Sequence, residues 1–105
     1  MYSTQFQAHR ANFAKMKGMI DFCESVTLEI KRAQSKDDLR NVIEHSILHY
    51  RSTRNASREP DFIMNMIVTL QVVMTENLPP LQVQNVKEAI AIFRDYQQKN
   101  PGAVR

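Results

Sequence analysis

Residues 62–74 read FIMNMIVTLQVVM, ten apolar side chains in thirteen positions, broken only by Asn65, Thr69 and Gln71. A run this apolar has no face to give to water, so the rest of the chain or another chain must enclose it. By propensity IVTLQVV suits a strand, because β-branched residues pack well on a pleated surface. Length decides for a helix: about 17 residues lie between Pro60 and the Pro79–Pro80 pair, more than an ordinary strand uses. Pro60 fits a first helical turn, where its missing N–H costs nothing. Pro79–Pro80 biases Leu78 away from helical backbone, so this helix is predicted to end near Asn77.

The flanking sequence points the same way. Only two glycines occur, Gly18 and Gly102, too few for the positive-φ turns of several hairpins. Upstream, a first helix is predicted over residues 4–33. Its seam is Phe6, His9, Phe13, Met16, Ile20, Cys23, Thr27 and Ile30, at alternating spacings of three and four. Met19, Phe22 and Val26 widen that seam in its later half. Such a helix would be about 45 Å long, and its first third would project or pair with another chain. Ser35 and Asp38 form an S-x-x-D start signal, in which the Ser oxygen accepts from an orphan amide. A second helix follows to about Thr53, burying Leu39, Val42, Ile43, Ile47 and Tyr50. Downstream, a fourth helix opens at Pro80, with Val83, Val86, Ile90, Phe93 and Gln97 on one seam and Ala89, Ile92 and Tyr96 beside it. Asn100-Pro101-Gly102 ends it.

The fold class read from this pattern is all-α: a four-helix antiparallel bundle with a long first helix, in a single domain with loose termini at 1–5 and 100–105. Three single-striped helices cannot cover every side of an all-apolar helix, and Met64 and Met66, two residues apart, cannot share one buried stripe. A homodimer would cover the remainder.

Composition bounds the chemistry. The single cysteine, Cys23, excludes an internal disulfide and suits a reducing, cytoplasmic setting. The opening residues lack the charged-then-apolar design of a secretory signal, and the 62–74 run is short of the roughly 20 residues that cross a bilayer. Up to Arg58 there are ten Lys/Arg against six Asp/Glu, and from Glu59 onward four against five, so the basic surplus lies in the first half.

No arrangement of nucleophile, base and orienting group is visible, and no glycine-rich phosphate loop. His45 and His49 are four apart and can face one ion, but the order E-H-S-I-L-H is not a zinc-protease motif and no third ligand is evident. Cys23 on the buried seam reads as a small core hydrophobe. The chain is therefore read as no enzyme, without cofactor, metal or small-molecule substrate. Two functions remain. The first is a small interaction module (regulator, adaptor or chaperone-like subunit) that offers an apolar helical face to another protein through Phe6, Phe13, Met16, Met64 and Met66. The alternative is a nucleic-acid-binding regulator. In it Arg51, Arg54 and Arg58, at i, i+3 and i+7, would meet phosphates while Tyr50 stacks on a base.

Overall fold

Each helix in the described part of the chain begins at a local chemical signal. The computed structural model describes residues 18–53 and 59–99, and 87% of these are helical, with no strand among them. The helices are α1 (Met19–Arg32), α2 (Lys36–Thr53), α3 (Glu59–Val73) and α4 (Pro80–Lys99). Pro80 is the first residue of α4 as expected, and the Val83 amide donates to Pro79 O at 3.0 Å. At α2 the Asp38 amide donates to Ser35 Oγ at 3.0 Å, the predicted cap. The Asp38 carboxylate reaches back to the amide of Gln34 at 3.0 Å, one residue earlier than in a standard capping box.

Two boundaries differ from expectation. The first helix does not run unbroken over residues 4–33. Gly18 is extended (φ −125°, ψ 164°), and the Phe22 amide donates to its carbonyl in the first helical bond, at 3.0 Å. A glycine inside a helix costs about 1 kcal/mol relative to alanine, so the helix starts beside it instead. Residues 4–17, which include Phe6, His9, Phe13 and Met16, lie outside the described residues, as do 54–58 and 100–105. The third helix stops at Val73, four residues before Asn77. There the Thr75 and Glu76 amides donate to Val72 and Val73 carbonyls three residues back, a tightening that ends the helix ahead of the proline pair.

Packing is organised around four aromatic rings, one from each helix. Phe62 of α3 lies 5.1 Å from Phe22 of α1, 4.9 Å from Tyr50 of α2 in a stacked pair, and 6.2 Å from Phe93 of α4 edge-on. Phe22, Phe62 and Phe93 are fully enclosed. Around them pack Val26 and Ile30 of α1, Leu39, Val42, Ile43 and Ile47 of α2, Ile63, Met66, Ile67 and Leu70 of α3, and Val86 and Ala89 of α4. The broadest interface is α3 on α4, and α1 packs against both.

The buried face of α1 is the stripe Phe22, Cys23, Val26, Thr27 and Ile30. Ile20, expected on the seam, is 72% exposed, because it stands about a quarter turn from the centre of that stripe. On α4 the deepest positions are Val86, Ala89 and Phe93, with Ile90, Ile92 and Tyr96 half-buried on the flanks. Asn85 is buried: its Nδ2 donates to the carbonyl of Ala33, so α4 satisfies the C-cap carbonyl of α1 at 2.9 Å. The buried hydroxyls of Thr27 and Ser46 donate to the carbonyls of Cys23 and Ile43 within their own helices. No described helix is long and apolar enough to cross a membrane.

Phe62→Ala should destabilise the fold by about 3–5 kcal/mol, measured by urea unfolding. Met64→Ala, two residues along the same helix but on its exposed side, should cost about 0.5 kcal/mol or less.

Candidate functional site

Helix α3 does not bury all of its apolar surface. Phe62, Ile63, Met66, Ile67, Leu70 and Val73 face the core, while Met64 (49% exposed), Val68 (50%) and Val72 (60%) form a strip at spacings of four on the outside. Residues four apart stack one above another on a helix, so the three make a continuous aliphatic ridge. Beside it Leu28 of α1 is 45% exposed. Between the two helices runs an open groove of about 570 Å³, floored by Thr27, Leu28, Val68 and Val72. Its rim is charged: Glu24 and Lys31 on α1, and Glu76 after α3, with Lys31 Nζ 3.6 Å from Glu76 Oε1. At the other end of the pair Asn65 Nδ2 donates to Met19 Sδ at 3.1 Å and to the Asp61 carbonyl at 2.9 Å. Asn65 on Met19 and Lys31 on Glu76 thus link the two sides of the groove at its opposite ends.

Of the residues expected to meet a protein partner, Met64 is on this surface. Met66 is fully enclosed and contributes to the core instead. The expectation that Met64 and Met66 cannot share one buried stripe is met. Phe6, Phe13 and Met16 lie outside the described residues. Reasoning from periodicity alone missed Val68, Val72 and Leu28. The signal was present in the spacing 64, 68, 72, but in an all-apolar helix nothing marks which stripe faces outward.

The residues proposed for nucleic acid are differently placed. Tyr50 is 3% exposed, stacked on Phe62 and packed near Phe22, so its ring is not available to a base. Arg51 forms a two-pronged ion pair with Glu59, Nε to Oε1 and Nη2 to Oε2, the latter at 3.2 Å. Glu59 is buried at 7% exposure, and its hydrogen bond pushes the Arg51 pKa further above its ordinary value. The pair joins the last turn of α2 to the first turn of α3, each charge suiting its helix end. The arginine cluster therefore has an acid at its edge that reading the 49–58 stretch alone did not include. Arg54 and Arg58 lie outside the described residues.

A second, polar groove of about 370 Å³ lies between α2 and α4, where Arg40, Glu44, Glu88, Asp95, Tyr96 and Lys99 interleave both signs of charge. Burial is the main cause that raises the Tyr96 pKa there, with Glu44 adding to it and Arg51, Lys99 and Arg40 opposing. His49 stacks on Phe22 at 5.6 Å, so its ring belongs to the rim of the core. Among the described residues no three His, Cys, Asp or Glu side chains are grouped to hold a metal ion. Cys23 is buried, and desolvation, with Glu24 second, pushes its thiol up to about 12. No protein-family model, curated protein or solved structure matches the chain.

Two measurements check these contacts. Arg51→Met should destabilise by about 1.5–3 kcal/mol, because Glu59 is left buried without its partner. The double variant Arg51→Met/Glu59→Gln should recover part of that loss in chemical denaturation. For Cys23 the folded state holds the thiol proton more tightly than the unfolded chain, whose thiol ionises near 9.0. That contribution to stability is complete below pH 9 and disappears as pH rises towards about 12. The unfolding midpoint should fall over this range less steeply in Cys23→Ala, and a thiol reagent at pH 8 should label native protein far more slowly than denatured.

Proposed function

We propose that this protein is a non-catalytic helical interaction module, a regulator, adaptor or chaperone-like subunit that works as a homodimer and docks protein through the α1–α3 face. The observation that carries this reading is the aliphatic ridge Met64, Val68 and Val72 beside Leu28, left half-exposed along a groove with a charged rim. Four aliphatic side chains in one strip cost free energy in water and gain it when covered. The charged rim favours a specific occupant over indiscriminate sticking. The buried thiol of Cys23 fits the reducing, cytoplasmic setting that belongs to the same proposal.

An antiparallel, up-and-down order of the helices is part of it. It is supported by Phe22 near Tyr50, Arg51 on Glu59, Phe62 near Phe93 and Asn85 on Ala33, each joining one end of a helix to the opposite end of another. The polar environment is less favourable to nucleic acid, since Tyr50 is enclosed and Arg51 is held by Glu59.

Light scattering at tens of micromolar should give twice the 12.2 kDa chain mass. Val68→Asp and Val72→Asp, exposed positions that leave the helical circular dichroism unchanged, should return it to monomer. A 12.2 kDa species throughout, with the same result for both variants, would overturn the dimer. A mobility shift with nucleic acid that weakens steeply with salt would favour a phosphate-binding role instead.

A further inference from the structure

We infer that the α1–α3 groove receives a basic amphipathic helix of a partner protein, its apolar stripe on Leu28, Val68 and Val72 and its cations over the acids beside them. The inference rests on the reading that this face docks protein, and it names the partner's chemistry. The form of the occupant follows from what the floor lacks. Of Thr27, Leu28, Val68 and Val72 only Thr27 has a polar side-chain group, and its hydroxyl already donates to the Cys23 carbonyl at 2.7 Å. Among the described residues there is no strand edge with which an extended peptide could pair. An extended segment laid on this floor would take its N–H and C=O groups out of water with little to replace it. A helix bonds its own backbone internally and presents only side chains.

The charge of the occupant follows from the rim. Asp21, Glu24 and Leu28 fall at i, i+3 and i+7, so two exposed acids share one face of α1 with the leucine. On α3 exposed Asp61 stands seven residues before Val68, on the same side of that helix. From Glu59 to Val86 the sequence has Glu59, Asp61 and Glu76 and neither lysine nor arginine, so α3 brings no cation to the face. The cations that α1 brings, Lys31 and Arg32, are both in its last turn, and Lys31 Nζ lies 3.6 Å from Glu76 Oε1. With Met19 on Asn65 at the other end, Asp21, Glu24 and Asp61 gather in the half of the face nearer Met19. Cations of an incoming helix find their match there.

The dimensions suit one helix. From Met64 to Val72 the ridge is about 12 Å along α3, which about two to three helical turns cover with apolar residues at i, i+4 and i+7. Leu28 on one wall and Val68 and Val72 on the other leave a channel into which such a row of side chains fits as a ridge into a groove. The chain as a whole carries +3 and repels a basic ligand at long range, so a basic helix gains its binding only where the local charge is reversed. The homodimer proposed above uses the same ridge, so the partner helix and a second copy exclude one another.

The test titrates the full chain into fluorescent helical peptides of about fifteen residues, stapled because helices this short are marginal in water. One peptide carries a leucine stripe flanked by lysines, its twin has glutamate for every lysine, and a third scrambles the first. By anisotropy the lysine peptide should bind about tenfold or more tighter than either of the others. Val68→Asp should abolish that binding, Glu24→Lys should weaken it several-fold, and Leu48→Asp, on the exposed side of α2, should leave it unchanged. The lysine peptide should also lower the light-scattering mass towards one 12.2 kDa chain. An acidic twin or a scramble that binds equally well would overturn the inference, as would binding that survives Val68→Asp. If no peptide binds while a dimer forms and Val68→Asp breaks it, the inference fails and the homodimer reading stands, with a second copy as the occupant. No peptide binding and a 12.2 kDa species throughout would remove both.

Discussion

The aromatic cluster centred on Phe62 is the constraint on which the rest of this fold depends. One ring can touch Phe22, Tyr50 and Phe93 together only if α1, α2 and α4 all converge on the first turn of α3. Each ring is large and rigid, so each contact restricts both the rotation and the axial position of the helix that brings it. Once those are set, the aliphatic residues beyond the cluster have one consistent way to interdigitate. The two polar connections beside the cluster and at the end of α1, Arg51 on Glu59 and Asn85 on Ala33, then satisfy groups that the packing has taken out of water.

The same constraint creates the exposed ridge. A helix with apolar residues on all sides, held by its first turn against three neighbours, can turn only one sector inward. Phe62, Met66, Leu70 and Val73 take that sector. Met64, Val68 and Val72 are carried outward by the geometry of the helix, whatever their affinity for water. A substitution of these three by polar residues would be compatible with the bundle. Their exposure is what makes the α1–α3 face the candidate for docking proposed above.

Much of the architecture was legible from residues alone. Proline and serine signals placed the starts of α2 and α4 within a residue, because caps act over three or four positions and do not depend on tertiary contacts. The core positions of α2 followed from spacing, since that helix has one apolar stripe and, apart from Leu48, polar residues elsewhere. Gly18 was harder: the heptad seam continues across it from Met16 to Ile20, and periodicity records the apolar positions without registering the backbone cost of the glycine between them. Ile20 was misplaced for another reason: Phe22 and Val26 pull the centre of the buried stripe about a quarter turn away from it.

What sequence alone determined, then, is that the described residues are all-helical, where most of their helices start, and that the most apolar helix carries apolar residues on nearly all sides. Those properties are local or cumulative along the chain. Tertiary structure decided which residues of that helix face outward, that Met66 is core and not surface, that Arg51 belongs to Glu59, and that Asn85 is buried. Each of these depends on the rotation of one helix against another. That rotation is set by ring-on-ring contacts between residues tens of positions apart, which no spacing within a single helix records.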